Sequence, residues 1–160
     1  MRRFLFRGVV FLASLVGGAQ LMNPDQTVPL PNDQKDKRLR ALRKFFGQRQ
    51  SPVAGLSEDF LVAADAYGLD WRLLPGIAII ESGGGKAYTN NNIFGWNSCD
   101  TAFRTVREGI YRVGERLALS KLYKNKSTHS KLRTYNANDG YPDRVAAVMR
   151  QLSVAYAAAD

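Results

Sequence analysis

The chain reads as mainly α, a small helical domain with little or no β-sheet. Three observations predict it. Apolar residues recur at three- and four-residue spacing in several segments. Helix-start residues stand just ahead of those segments, and together the segments leave little room for strands. At 160 residues the chain holds one modest domain with appendages.

Met1 to Arg7 is basic, Gly8 to Val16 is apolar, and Gly17-Gly18-Ala19 is small, which is the pattern of a secretory signal peptide cleaved after Ala19. The apolar run is short for a transmembrane helix, and an uncleaved signal anchor is the alternative. Either way the protein is expected in the cell envelope, periplasmic or secreted. Residues 20–52 read as a linker followed by a basic amphipathic segment, and residues 53–160 as the folded domain. Within 35–46, Leu39, Leu42 and Phe46 share one helical face among cations. Such a helix either lies on an anionic membrane or wall polymer, or packs its stripe onto the domain.

In the domain, Ser57 is expected to cap a helix through Phe60, Leu61, Ala64 and Tyr67 that ends at Gly68. Asp70 is expected to cap a second, Trp71 to Glu81, whose continuous apolar face places it in the middle of the fold; Pro75 falls in its first turns. Thr105-Val106-Arg107-Glu108 is a capping box for a helix to about Leu119, with Ile110, Val113 and Leu117 inward. Thr128 starts a short helix to Arg133. Pro142 suits the first helical position of a last helix to Ala158, with Val145, Val148, Met149 and Leu152 as its stripe.

Cys99 is the only cysteine and His129 the only histidine. An intramolecular disulfide is therefore excluded, and His129, in a polar Lys-Ser-Thr-His-Ser-Lys stretch, is a poor base for a Cys99 nucleophile. No Cys, His and Asp cluster has metal-ligand spacing, so neither metal nor cofactor is expected. The net charge of +9 divides unevenly: residues 1–19 hold three basic groups, 20–52 seven basic and three acidic, 53–160 thirteen basic and eleven acidic. With domain boundaries at 53–160 the fold is near neutral, and nucleic acid is an unlikely partner.

Glu81 ends the apolar helix a few residues before Asn90-Asn91-Asn92-Ile93-Phe94-Gly95-Trp96. A carboxyl group at the rim of an apolar pocket loses hydration of its charged form, which favours holding a proton. Cleaving a glycosidic bond needs such an acid to protonate the leaving oxygen, and surfaces to hold the rings. Phe94, Trp96, Tyr135 and Tyr141 offer ring faces; Asn91, Asn92 and the backbone at Gly95 offer hydrogen bonds to hydroxyl or N-acetyl groups. Each also has an ordinary structural reading: Glu81 as a solvated helix residue, the aromatics as core plugs, the asparagines as turn formers.

Taken together, Glu81-Ser82-Gly83 through Gly85-Lys86, Asn91-Asn92-Ile93-Phe94-Gly95, and Tyr135-Asn136 with Tyr141 ahead of the last helix resemble the glucosaminidase family of bacterial cell-wall hydrolases, within the lysozyme-like superfamily. The resemblance covers about residues 56–155. It implies a lysozyme-like domain with Glu81 as catalytic acid, a cleft lined by the Asn-Asn-x-Phe-Gly loop, and Tyr135 or Tyr141 as supporting tyrosine. It also implies peptidoglycan glycan strands as the partner. Gly84 and Gly85 depart from the aromatic residues frequent in the family at that point, which would leave a cleft wall less filled. The short chain has little room for a hairpin lobe with a second carboxylate; Asp100, Asp139 and Asp143 remain as candidates. The resulting expectation is an endo-N-acetylglucosaminidase-type hydrolase, with lytic transglycosylation or glycan binding without turnover as alternatives.

Overall fold

The computed structural model describes residues 36–159, and among these it is mainly helical, without a strand. The leader and most of the linker read above lie outside the described residues. The helices are α1 (Lys37–Gln48), α2 (Ser57–Ala66), α3 (Leu73–Ser82), α4 (Val106–Leu119), α5 (Thr128–Tyr135) and α6 (Tyr141–Ala157), with short 3-10 turns at Pro52–Leu56 and Trp96–Cys99. None is long and apolar enough to cross a membrane.

The expected domain boundary at residue 53 is corrected. Asp36 caps α1 by accepting the Arg38 N–H at 2.9 Å. Leu39, Leu42 and Phe46 are fully buried, with Phe45 2% exposed, in the same core as the later helices. α1 packs along α6 and α2. Phe46 meets Phe60 at 5.5 Å, and Phe60 meets Phe94 at 6.3 Å, so the helix sits at the root of an aromatic chain through the core. Removing those side chains from water stabilises the fold by roughly 2 kcal/mol each. The stripe is thus spent inside the protein, and α1 has no apolar face left for a bilayer. Arg43 and Lys44 remain exposed on its outer side.

This boundary changes the charge balance. Residues 36–159 carry 19 Lys and Arg against 11 Asp and Glu, so the folded part is strongly basic rather than near neutral. The ground for setting aside anionic partners falls with the boundary.

Several starts differ in detail from expectation. Ser57 lies inside α2, which the 3-10 turn runs into, and its hydroxyl donates to the Ala54 carbonyl at 2.7 Å instead of capping. Asp70 stands ahead of α3, accepting the Arg72 N–H at 3.0 Å; burial opposes its charge, but bonds from Arg72 outweigh this and hold its carboxyl below the usual range. In the expected capping box, Thr105 Oγ1 accepts the Glu108 N–H at 3.0 Å, whereas Glu108 reaches the Arg104 N–H at 2.8 Å, one residue further out.

α3 is the central helix, with Leu73, Leu74, Ile77 and Ala78 at most 1% exposed. Its Gly76 lies against α6: a Cβ there would meet Val145 Cγ1 at 3.2 Å. Gly83, at φ +64°, ends the helix, and the Gly84 N–H closes onto the Ala78 carbonyl at 3.0 Å. Gly84 and Gly85 do not leave an open cleft wall. They pack against the segment after α1, where a Cβ on Gly84 would meet Ser51 Oγ at 2.6 Å and one on Gly85 would meet Val53 Cγ1 at 2.9 Å. Ser51 donates to the Gly84 carbonyl at 2.6 Å, fastening the end of α3 to the end of α1.

Candidate functional site

Glu81 is in the last turn of α3, partly exposed, and faces a groove of about 790 Å³. Gly95, Trp96, Tyr123, Tyr135 and Asn136 line it with Glu81, and the Asn97–Cys99 turn and Thr101 form its outer lip. Glu81 is the only acidic residue of that lining.

Gly95 covers the acid closely. Its φ is +60°, and a Cβ built on it would stand 2.8 Å from Glu81 Oε2. Glycine is therefore required twice, by the backbone and by the carboxylate beneath it. The loop that delivers Gly95 is organised by its own asparagines. Asn92 is 1% exposed, donates to the Trp96 and Thr101 carbonyls at 2.9 and 3.0 Å, and accepts the Trp96 N–H at 3.0 Å. Asn91 donates to the Phe103 and Arg104 carbonyls at 2.9 and 3.1 Å. Asn90 and Asn91 both have φ of +55°, a conformation that asparagine tolerates. These side chains hold the loop's shape and do not line the groove, contrary to their expected role as sugar contacts.

The aromatic residues separate into wall and support. Trp96 stands edge to face with Tyr135, centroids 5.5 Å apart, and 5.9 Å from Tyr123. Tyr135 stacks on Tyr141 at 5.9 Å with the planes 5° apart. Tyr135 lines the groove, whereas Tyr141, 1% exposed, lies behind it. Phe94 is fully buried against Phe60, so it is a core plug rather than a stacking surface. Its carbonyl accepts the Tyr135 hydroxyl at 2.6 Å, which anchors the loop to α5.

The partly buried Tyr135 phenol and the buried Tyr141 phenol both respond to Glu81. Burial pushes both the Tyr135 and Tyr141 hydroxyls well above the ordinary tyrosine range, and the Glu81 carboxylate pushes them further in the same direction. The Tyr141 hydroxyl interacts with Glu81 across a gap that no hydrogen bond of standard geometry closes, and it has no other partner. A neutral phenol held there can donate to the carboxylate when Glu81 shifts towards it.

None of the three expected second carboxylates lines the groove. Asp100 follows the 3-10 turn on the exposed side, and Asp139 lies in the exposed approach to α6, 3.5 Å from Arg133 Nη2. Asp143 is exposed in the first turn of α6. Cys99 lies in the lip, at φ +66° after Asn97 and Ser98 at +52° and +53°. His129 is exposed on α5, away from the groove.

Tyr123 was not anticipated from sequence. It follows α4 in a turn where Lys131 Nζ donates to both the Leu117 and Tyr123 carbonyls at 2.7 Å. Tyr123 is 6% exposed, and its Lys-Leu-Tyr-Lys surroundings carry no pattern that marks it as a groove residue. Burial lowers the Lys131 ammonium from its ordinary range, with Lys126 adding to it.

A scan against protein-family models finds no match, and no curated protein matches the chain at a significant level. The family resemblance rests on the chain's own residues.

Proposed function

We propose that the protein is an exported glycoside-cleaving enzyme acting on β-1,4 bonds between N-acetylated amino sugars of peptidoglycan, with Glu81 as general acid. The observation that carries this reading is a single carboxylate in a groove walled by aromatic rings. A pyranose resting against Trp96, Tyr123 or Tyr135 would place a glycosidic oxygen beside Glu81. Glu81 protonates that oxygen as the bond breaks, and its carboxylate then takes a proton from the group that attacks the anomeric carbon.

The usual two-carboxylate schemes require a partner about 5 to 9.5 Å from the acid. Since Asp100 and Asp139 lie outside the groove, the reading that fits best has the substrate supply the missing group. An N-acetyl oxygen attacking the anomeric carbon forms a cyclic oxazolinium as the protonated leaving group departs, and water that gives its proton to the Glu81 carboxylate opens the ring to complete hydrolysis. A 6-hydroxyl attacking it, with its proton passing to that carboxylate, closes an anhydro sugar, as in lytic transglycosylation. The strongly basic domain and the signal-like residues 1–19 fit an envelope polymer rich in carboxylates.

The test is digestion of purified sacculi by the full chain followed by mass analysis of the soluble products. Fragments ending in a reducing N-acetylglucosamine support the glucosaminidase reading. Anhydro-muramic ends would assign the transglycosylase reaction instead. Retention on sacculi with no soluble product would contradict catalysis and leave a glycan-binding domain.

A further inference from the structure

The Glu81 groove does not end at its aromatic wall. A second groove of about 950 Å³ lies on the other side and shares Trp96, Thr101, Leu122 and Tyr123 with the first. One stripe of α4, Glu108, Arg112, Glu115 and Leu119, forms its floor, with Arg116 beside it and Phe103 packed on α4 at Gly109. Leu119 and Leu122 are each 57% exposed, which is unusual for leucines this close together.

The charges of this groove are almost all met within the protein. Glu108 accepts from the Arg104 N–H at 2.8 Å and from Arg104 Nε at 3.3 Å. Glu115 holds Arg112 Nη1 at 3.3 Å, and Arg112 Nε also approaches Glu108 at 4.0 Å. The Arg116 guanidinium has no partner among the described residues. The groove therefore presents one unmet cation and two aliphatic side chains, continuous with the place where the sugar would lie.

We infer that the second groove binds a short carboxylate-bearing peptide attached to the sugar polymer, its carboxylate on Arg116 and its aliphatic part on Leu119 and Leu122. This inference rests on the proposed sugar site at Glu81. A bare neutral glycan would have no use for Arg116, and a polyphosphate threaded through both grooves would meet Glu81, Glu108 and Glu115 with repulsion. A peptide whose carboxylates are spaced by neutral backbone can set one on Arg116 without crowding the acidic side chains, and a planar carboxylate matches the guanidinium fork. Substrate choice would then be read in two places: sugar on one side of Trp96 and Tyr123, peptide substituent on the other.

The experiment is an amide NMR titration of the full chain and of Arg116→Glu with three probes: a peptidoglycan disaccharide, the same disaccharide carrying its tetrapeptide, and the free tetrapeptide. The wild-type chain should bind the peptide-bearing fragment about tenfold more tightly than the bare disaccharide, with shifts at Arg116, Leu119 and Leu122. Arg116→Glu should erase that preference and keep the affinity for the bare disaccharide. Equal affinities in the wild-type chain, or a preference that survives Arg116→Glu, would overturn the inference. Absence of shifts at Gly95 and Trp96 with either sugar would instead contradict the Glu81 site. The free tetrapeptide at high concentration still decides the second groove, since no shift at Arg116 or Leu119 with it or with the peptide-bearing fragment refutes it.

Discussion

Replacing Gly95 with alanine tests the coupling between loop and acid. Two separate costs follow from the geometry. The residue has φ +60°, and holding an alanine there costs about 1 kcal/mol. The new methyl would also stand 2.8 Å from Glu81 Oε2, closer than carbon and oxygen tolerate, so the carboxylate must retreat by several tenths of an ångström. Misplacing a catalytic group by about 1 Å can cost about a hundredfold in rate, so a loss of about tenfold to a hundredfold is expected. Gly68 provides the control: its φ is +61°, and a Cβ there meets nothing within 4 Å. Both Gly68→Ala and Gly95→Ala should lower the melting temperature by about 4 °C. Only Gly95→Ala should slow release of soluble fragments from sacculi. If Gly95→Ala retains full activity as Gly68→Ala does, Gly95 serves the turn alone and the proposed contact with the acid has no catalytic meaning.

Removing residues 1–50 deletes the buried Leu39, Leu42, Phe45 and Phe46 together, roughly 8 to 10 kcal/mol of burial, comparable with a whole domain's stability; the fragment 51–160 should show no cooperative unfolding by circular dichroism, while 36–160 should. Lys131→Met removes two short bonds from a charged donor and should cost about 2 to 3 kcal/mol in urea unfolding, while increasing the mobility of Tyr123 as seen by fluorescence or NMR. The phenols of Tyr135 and Tyr141 titrate above their unfolded range, so the folded state holds their protons longer. That stability is fully present below about pH 10 and is lost as pH rises beyond it; phenolate absorbance from these residues should therefore appear together with unfolding rather than before it.

The helices were legible because periodicity and capping residues act locally. Thr105 and Pro142 mark their starts whatever the surrounding fold, and Gly83 marks an end. The partner of a stripe is not a local property. Leu39, Leu42 and Phe46 announce that a face must be covered, yet only the packing of α1 against α6 shows that the protein itself covers it. The same limit divides the candidate site. Glu81, Gly95, Trp96 and Tyr135 line one groove, although no local pattern joins α5 to the end of α3, whereas Asn91 and Asn92 turn inward because a loop with successive left-handed residues needs its own carbonyls satisfied. Phe94 and Trp96 are two residues apart and equally apolar, and nothing in the sequence tells which enters the core. Tyr123 reaches the groove through the turn fastened by Lys131, a tertiary contact without a motif.

The most direct measurement compares the full chain with Glu81→Gln in the rate of soluble muropeptide release from sacculi. Glutamine keeps the size and polarity of the side chain under Gly95 and removes its acid–base chemistry. Glu81→Gln should leave the melting temperature unchanged within a few degrees and reduce the rate by at least about a hundredfold. Release at the wild-type rate by a folded Glu81→Gln protein would contradict it.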